Sequence, residues 1–283
     1  MKWGFCLPRL FLSAALAASH AQADPANTSL PVNSNPPSPS SSPSHSDTEA
    51  PTLPRCSEIS GLGPEFNLLA GACEYALSQR TLPNFICQET EQRSAGGQPL
   101  DVLTVEAAFA HGLDRYSNWA INGHPVESPY DSSGWVSDAM FGHQLTAIFR
   151  PESKTSFRFD RQSSAGDASA SVFSFHFGQK DNTSFNIYRS RPGMSGSIWI
   201  DRKSGHLLRV TASASEINRK YPLASYSSEM NYREVPIPDL GDLLLPVNGQ
   251  VQICFQQGSC FKNLLSFHDC RKFGSEARIV PNN

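Results

Sequence analysis

The amino-acid sequence predicts a mainly β protein of the α+β class, in which one long antiparallel sheet curls on itself or forms an incomplete barrel. A single N-terminal helix is expected to pack on the apolar face of that sheet. Three observations support this fold class. Apolar residues recur at helical spacing between Phe66 and Leu77, their period changes to two after Pro83, and turn residues such as Ala95-Gly96-Gly97 separate the alternating segments that follow.

The first 23 residues have the pattern of a secretory signal peptide. Lys2 and Arg9 precede an apolar run over residues 10–18, which leads to the small-x-small cleavage site Ala21-Gln22-Ala23. That run is shorter than the roughly 20 apolar residues that a membrane-spanning helix needs, and no later segment approaches this length. We therefore predict an exported, soluble protein, periplasmic or extracellular, with no integral membrane span.

Residues 24–55 follow as a leader dominated by Pro, Ser, Asn and Thr. Its few large apolar side chains cannot offset the entropy that ordering would cost, so the leader is predicted to be disordered or partly polyproline. The composition then shifts to alternating aromatic and β-branched residues. Residues 56–283 are predicted to form one β-rich domain with no internal boundary.

The charge balance argues against a nucleic-acid partner. Once Lys2 and Arg9 are removed, 21 basic residues remain against 26 acidic ones, and the net charge is −5. The basic residues form no cluster, whereas a phosphate backbone requires concentrated Lys and Arg. No motif indicates a cofactor.

The predicted helix begins at Pro64, which follows Gly63, and ends before Pro83. Glu65 is favourable in its first turn because its carboxylate meets the positive end of the helix dipole. One face of the helix carries the apolar residues Phe66, Leu69, Cys73, Ala76 and Leu77. A second, weaker helical segment is predicted within residues 136–149, where strict alternation is lost.

Eleven strands are predicted from the period-two alternation of apolar and polar residues. They cover residues 84–93, 101–110, 115–121, 155–160, 169–178, 183–190, 196–201, 206–214, 224–235, 246–256 and 260–271. Turn residues such as Lys203-Ser204-Gly205 separate most of them. This spacing predicts an antiparallel meander.

Phenylalanines mark one face of this sheet as a candidate ligand-binding surface. The candidates are Phe157, Phe159, Phe173, Phe175 and Phe177. They occupy alternate positions, so they share one face while polar residues occupy the other. One helix is narrow for so wide an apolar face, which leaves space for an apolar small molecule, a lipid or an envelope protein. The alternative is that the helix and the curled sheet fill this space completely.

Six cysteines remain once the signal peptide is removed, an even number that predicts disulfides in an oxidising compartment. If Gln256-Gln257-Gly258 is a three-residue hairpin loop, Cys254 lies opposite Cys260 at the separation that a disulfide needs. The other four allow three pairings, which the sequence leaves open. They are Cys56, Cys73, Cys87 and Cys270. The lack of C-x-x-C and of paired histidines at finger spacing argues against a metal site.

No segment indicates an enzyme active site, and we assign no catalytic residue. Gly193-Met194-Ser195-Gly196-Ser197 lacks the final glycine of a nucleophile elbow and precedes a strand instead of a helix. His268 and Asp269 are adjacent on a strand, so their side chains are expected on opposite faces. The candidate acid–base or metal group around one predicted hairpin is His111, Asp114 and His124.

Several phrases of the sequence, taken in order, resemble a family of uncharacterised exported bacterial β-rich proteins. They are Leu82-Pro83-Asn84-Phe85-Ile86-Cys87, Phe141-Gly142 with Ile148-Phe149, Ile198-Trp199-Ile200-Asp201, Leu245-Pro246, and Phe267-His268-Asp269 with Arg271-Lys272-Phe273-Gly274. The segment over residues 200–209 is also similar to the hairpins of the periplasmic carriers that escort lipoproteins to the outer membrane. This resemblance implies a half-barrel with an apolar concave face. It supplies no catalytic or ligand-binding residues.

The sequence therefore predicts a binding or carrier-like module for an apolar ligand, a lipid or an envelope partner. Two alternatives stay open. An exported hydrolase with a non-standard site would show a cleft with convergent His and acidic groups. A structural envelope component would bind other proteins through an exposed sheet edge and would have no cavity. The oligomeric state is not predicted.

Overall fold

The computed structural model describes residues 54–131, 134–137, 141–166, 168–183 and 185–274. The predicted signal peptide, residues 1–23, lies outside these ranges. So does the predicted leader, residues 24–55, apart from its last two residues. Within the described ranges, no helix is both long enough and apolar enough to cross a membrane.

Eleven strands of the described residues form one antiparallel sheet that curls without closing into a barrel. Their bounds are β1 (Phe85–Ala95), β2 (Gln98–Ala110), β3 (Leu113–Ile121), β4 (His124–Pro125), β5 (Ser156–Ala165), β6 (Ala168–Phe177), β7 (Gly193–Asp201), β8 (Leu207–Glu216), β9 (Leu223–Ile237), β10 (Gly241–Phe255) and β11 (Cys260–Lys272). The spatial order is β4-β3-β2-β1-β11-β10-β9-β8-β7-β6-β5. The predicted fold class, mainly β with a curled antiparallel sheet, is confirmed.

Two meanders make up this sheet, and one pair of strands joins them. The strands β1 to β4 follow one another in the first meander, and β5 to β11 do so in the second. The first strand pairs with the last, in antiparallel register from Phe85 opposite Lys272 to Ala95 opposite Phe261. The first and last strands therefore pair with each other in the interior of the sheet, not at its edges.

Three α-helices lie in the described residues: α1 (Pro54–Ser60), α2 (Phe66–Ser78) and α3 (His143–Phe149). Short 3-10 helices lie at Gln79–Thr81, Pro129–Asp131, Pro151–Ser153 and Gln179–Asp181. The helix α2 is the predicted one, and its predicted face is buried at Phe66, Leu69, Cys73 and Ala76 and partly buried at Leu77. The helix α3 is shorter than the weak helical segment predicted around it. No pattern predicted α1, because seven residues give fewer than two full turns of periodicity.

The six cysteines of the described residues form three disulfides. The pairs are Cys56–Cys73, Cys87–Cys270 and Cys254–Cys260. Cys254 and Cys260 lie directly opposite each other in the β10–β11 hairpin, with Cα atoms 4.1 Å apart, as the predicted loop requires. Among the pairings that the sequence left open, the structure ties α1 to α2 and the first strand to the last.

A bulge in β11 makes the second of these bonds possible. Ile86 pairs with Arg271 and Gln88 with His268, so two residues of β11 lie opposite Cys87 alone. The first of the two, Asp269, has a positive φ of 51°. This conformation interrupts the alternation of side chains and lets Cys270 reach Cys87.

The strand predicted at 183–190 is absent from the described part of that segment, residue 183 and residues 185–190, so the prediction is wrong there. This part belongs to a loop in which Ile187 and Ser190 form an isolated bridge. The side chain of Asn182 takes over the hydrogen bonds that a sheet ladder would make. Its amide nitrogen donates to the carbonyls of Phe185 and Pro192, and its oxygen accepts the N–H of Phe185. Such side-chain bonds compete with strand pairing, and period-two alternation does not reveal them.

Candidate ligand-binding site

The helices cover the phenylalanine face of the sheet. Phe173, Phe175 and Phe177 are at most 3% exposed. The ring of Phe66 in α2 lies 5.5 Å from that of Phe173, and the ring of Phe149 in α3 lies 5.4 Å from that of Phe157. Phe159 is partly buried and packs against Phe173 at 5.6 Å. The structure therefore brings all five predicted phenylalanines together, in a face that these helices cover.

An open cavity lies beside this packed face. It has a volume of about 680 Å³, and we call it the aromatic cavity. Two loops, before α3 and before β7, form its walls together with β9 and β10. Its lining residues are Tyr130, Gly134, Trp135, Val136, Ser137, His143, Gln144, Phe185, Asn186, Ile187, Tyr188, Arg189, Tyr226 and Val251. Most of these side chains are aromatic or aliphatic, which suits an apolar ligand.

An aromatic cluster forms one side of the aromatic cavity. The ring of Tyr188 lies 4.8 Å from that of Phe255, edge to face, and 6.0 Å from that of Trp135. Trp135 in turn lies 6.1 Å from Phe255. Tyr188 is nevertheless 50% exposed. An amphipathic ring held half in solvent can contact a ligand at the mouth of a cavity.

The turn that carries Tyr188 has an unusual conformation. Ile187 and Ser190 exchange backbone hydrogen bonds of 2.8 Å, which leaves Tyr188 and Arg189 as a two-residue turn. Both have positive φ values, 46° and 64°. This geometry favours Asn-Gly, because a bulky side chain is strained at positive φ.

The β3–β4 turn shows that the chain uses Asn-Gly elsewhere. Asn122 and Gly123 form the same kind of two-residue turn, with φ values of 51° and 80°. Strain is thus retained at the turn that lines the aromatic cavity. Strained bulky residues that persist in a fold point to a functional constraint at their position.

A buried polar network holds the loop that carries Trp135 and Ser137 against the sheet. The Glu91 carboxylate on β1 accepts the backbone N–H of Ser137 at 3.1 Å. It also accepts the amide of Asn263 on β11 at 2.8 Å. The same amide nitrogen lies 3.0 Å from the Trp135 carbonyl oxygen and 2.9 Å from the Ser137 hydroxyl. Glu91 and Asn263 are fully buried, so these bonds fix the position of Trp135 in a low dielectric.

A second cavity, of about 400 Å³, lies between the β2–β3 turn and α3, and we call it the polar cavity. Its lining residues are Gln79, Phe109, His111, Gly112, Leu113, Asp114, Gly142, His143, Thr146, Ala147 and Arg150. Two members of the predicted acid–base group, His111 and Asp114, therefore line one cavity. His124 does not, because it lies on the short edge strand β4.

Gln79 is the buried polar side chain of the polar cavity. It is 2% exposed, its amide nitrogen contacts the Tyr75 hydroxyl oxygen, and its Oε1 has no hydrogen-bond partner within the described residues. The neighbouring Tyr75 hydroxyl donates to the carbonyl of Leu244 instead. Burial without a partner costs an amide about 1–3 kcal/mol. A Cβ at Gly142 would collide with Gln79 Oε1, so the chain has glycine where this amide needs room.

Other candidate groups of the sequence do not form a catalytic site. Ser195 lies within β7, where it is paired with β6 and β8. His268 and Asp269 do contact each other, at 2.7 Å, so the prediction that they point apart is wrong. The positive φ of Asp269 turns its side chain back toward His268 on the exposed surface. Among the described residues, no three His, Cys, Asp or Glu side chains cluster as metal ligands.

The resolved pKa shifts in the described residues lie outside both cavities. Burial raises the pKa values of Tyr75 and Tyr232 above the usual range. The hydrogen bond from Arg271 lowers the pKa of Glu106, and Asn118 adds to this effect. The backbone N–H of Lys203 lowers the pKa of Asp201 in the β7–β8 turn.

Sequence reasoning missed both cavities. Trp135 lies in a segment without periodicity, and Tyr188 lies in a segment whose alternation predicted a strand, so no pattern connected them with each other or with Val251. The sequence feature that could have indicated the aromatic cavity is the presence of Trp135 and Tyr188 in loops, since aromatic residues in loops are often contact residues.

No protein-family model and no curated protein sequence matches the chain. Among solved structures, a LolA superfamily protein from Nitrosomonas europaea is 12% identical and covers 75% of this chain and 96% of its own, with a TM-score of 0.38. A DUF1329 family protein from Desulfovibrio piger is 8% identical and covers 73% and 92%, with a TM-score of 0.40. A domain described as an outer membrane lipoprotein-sorting protein from Vibrio parahaemolyticus is 11% identical and covers 73% and 93%, with a TM-score of 0.33.

All three of these solved structures are less than 25% identical to this chain. Their TM-scores lie below 0.5, so the function below is argued from the residues of the chain itself.

Proposed function

We propose that this protein is an exported carrier-like module that binds an apolar ligand in the aromatic cavity. The observation that carries the proposal is the cavity itself, about 680 Å³ and walled mainly by aromatic and aliphatic side chains. Ligand sites in proteins commonly measure about 300–1,000 Å³ and combine apolar walls with a few polar groups. The expected ligand is an amphiphile or lipid with an alkyl or aromatic portion.

The free-energy cost of two features that position the cavity lining supports this proposal. The strained turn at Tyr188 and Arg189 and the buried Glu91–Asn263 network both cost free energy to form. Each positions aromatic side chains at the cavity, Tyr188 in the first case and Trp135 in the second. A structural role alone would be met by an Asn-Gly turn and apolar packing.

The three disulfides support export. Disulfides persist in oxidising compartments and are rare in the cytosol. With the signal peptide predicted from the sequence, they favour the periplasm or the extracellular space. Expression of the full chain in a bacterial host should give an exported protein whose N-terminal residue is Asp24, as determined by N-terminal sequencing. A product that retains Met1 in the cytosol would contradict this.

The binding proposal is tested by titration with N-phenyl-1-naphthylamine, an apolar probe whose fluorescence rises in apolar surroundings. The wild-type mature protein is expected to bind it saturably. Trp135→Ala should weaken binding by about tenfold, because it removes an aromatic wall of the aromatic cavity and about 1.4 kcal/mol of contact.

Trp199→Ala is the matched control. Trp199 is also partly buried, but it lies on β7 between Arg161 and Arg209, each 5.4 Å from its ring, and does not line the aromatic cavity. This variant should bind the probe as the wild type does. The proposal fails if the wild type shows no saturable binding, or if both tryptophan variants lose affinity equally.

A further inference from the structure

The polar cavity and the aromatic cavity share one lining residue, His143 at the start of α3. Apolar surface predominates in both cavities, and the polar cavity adds charged, imidazole and amide groups. This arrangement matches the two parts of an amphiphile. An alkyl chain fits the first cavity, and the second lies next to it.

The charge of the polar cavity indicates the sign of the head group. Arg150 carries a permanent positive charge and makes no ion pair in the part of the chain that the structure describes. His111 and His143 add two imidazoles, whose N–H groups can donate hydrogen bonds. The carboxylate among the lining residues is that of Asp114, which is already engaged. The Arg150 guanidinium, which has no ion pair among the described residues, is therefore the group that an anion would pair with.

The amide of Gln79 provides neutral donors beside this guanidinium. It is buried, its contact with Tyr75 leaves part of its hydrogen-bonding capacity unused, and it lines the same cavity. A phosphate or carboxylate oxygen can accept from the amide nitrogen and from the guanidinium fork of Arg150. Gly142 keeps the space that this amide occupies.

We propose that the polar cavity binds the anionic head group, a phosphate or a carboxylate, of the amphiphile whose apolar part occupies the aromatic cavity. This inference rests on the proposed function. Arg150 is the main anchor of the head group, and His111, His143 and Gln79 donate hydrogen bonds to it.

Isothermal titration calorimetry of the mature protein tests this with three probes: decyl phosphate, 1-decanol and inorganic phosphate. Decyl phosphate should bind at least about tenfold more tightly than 1-decanol, since only the phosphate can form charge-assisted hydrogen bonds with Arg150. Inorganic phosphate should bind far more weakly than decyl phosphate, because it lacks the alkyl chain.

Arg150→Gln should reduce the preference for decyl phosphate over 1-decanol by about tenfold, and His111→Asn should reduce it less. Arg202→Gln is the matched control, because Arg202 lies at the β7–β8 turn, hydrogen-bonded to Gln162 and outside both cavities. Circular dichroism identifies any variant that fails to fold, and the other variant then decides the test.

The outcomes separate the two proposals. If neither decyl compound binds, the proposed function fails. If 1-decanol binds and decyl phosphate gains nothing, or if both variants keep the wild-type preference, only the head-group inference fails. Inorganic phosphate that binds as tightly as decyl phosphate would identify a site for a free anion and overturn the head-group assignment.

Discussion

At the scale of single residues, Tyr188 and Arg189 hold a conformation that glycine and asparagine usually take. We expect that Tyr188→Asn with Arg189→Gly lowers affinity for N-phenyl-1-naphthylamine about tenfold without lowering the free energy of unfolding. Relief of strain of about 1–3 kcal/mol per residue should offset the lost ring contacts. Probe titration and urea denaturation measure the two quantities.

The inverse substitution in the β3–β4 turn is the control for this prediction. Asn122→Tyr places a bulky residue at a φ of 51° and removes the hydrogen bond that the Asn122 side chain accepts from the backbone N–H of Val102. It should lower stability by about 1–3 kcal/mol and leave probe binding unchanged. Equal effects of both changes on binding would show that the Tyr188 turn has no special part in the site.

A second residue-scale prediction concerns Asn263. Asn263→Asp puts another carboxylate beside Glu91 in a fully buried site and removes the donor that the network needs. Two carboxylates that share a buried site repel each other, so we expect a loss of about 3 kcal/mol or more at neutral pH. The loss should shrink as the pH falls, because protonation of either carboxyl removes the repulsion and restores an O–H donor.

Urea denaturation at neutral and acidic pH measures this dependence. Asn248→Asp is the control, since Asn248 is exposed and accepts a hydrogen bond from Asn231 on the outer face. Its effect should be small and should not shrink at low pH. The interpretation of the network is wrong if the two variants lose the same stability at every pH.

At the scale of elements, the glycines of α2 and β7 have opposite roles. Gly196 belongs to the segment that resembles a serine elbow in spelling, but a Cβ there would collide with the carbonyl of Thr211 on β8 and the ring of Phe175. Glycine at this position allows β7 and β8 to approach each other closely. Gly71 in the middle of α2 has nothing within 4 Å of its Cβ position.

We therefore expect Gly196→Ala to destabilise the protein by about 2 kcal/mol or more, because backbone cannot move aside as a flexible side chain does. Gly71→Ala should stabilise it by about 0.5–1 kcal/mol, because alanine is the better helix former. Thermal denaturation of both variants shows whether each substitution raises or lowers stability. A Gly196→Ala variant as stable as the wild type would contradict the strand-contact interpretation.

Elements also show how far the sequence predicts this structure. Periodicity locates α2 and ten of the strand segments, because each buries one regular face. It fails at α1, which is too short for a pattern. It also fails at the segment predicted as a strand at 183–190, where hydrogen bonds of the Asn182 side chain take the place of strand pairing. The hairpin register places Cys254 opposite Cys260, but no local rule locates the cavities, since their walls meet only through the tertiary fold.

At the scale of the whole molecule, the two meanders are held together by the β1–β11 pairing and one covalent bond. The helices pack on the apolar face that both meanders share. The polar network also links these two strands, with Glu91 on β1 and Asn263 on β11. The β1–β11 pairing therefore supports both the sheet and the part of the cavity lining that carries Trp135.

Loss of Cys87–Cys270 should accordingly be the most damaging disulfide removal. This bond spans 183 residues, whereas Cys254–Cys260 spans 6. Loop-closure entropy predicts losses of about 5 kcal/mol for the first and about 2 kcal/mol for the second, since the entropy of the unfolded chain grows with loop length.

Urea denaturation of Cys87→Ala/Cys270→Ala and of Cys254→Ala/Cys260→Ala compares these values directly. The first variant should also bind N-phenyl-1-naphthylamine more weakly, because the β1–β11 pairing positions Trp135 through Asn263. The second variant changes only a hairpin end and should keep its affinity. If the long-range variant is as stable as the hairpin variant and binds the probe equally well, backbone pairing alone holds the two meanders together.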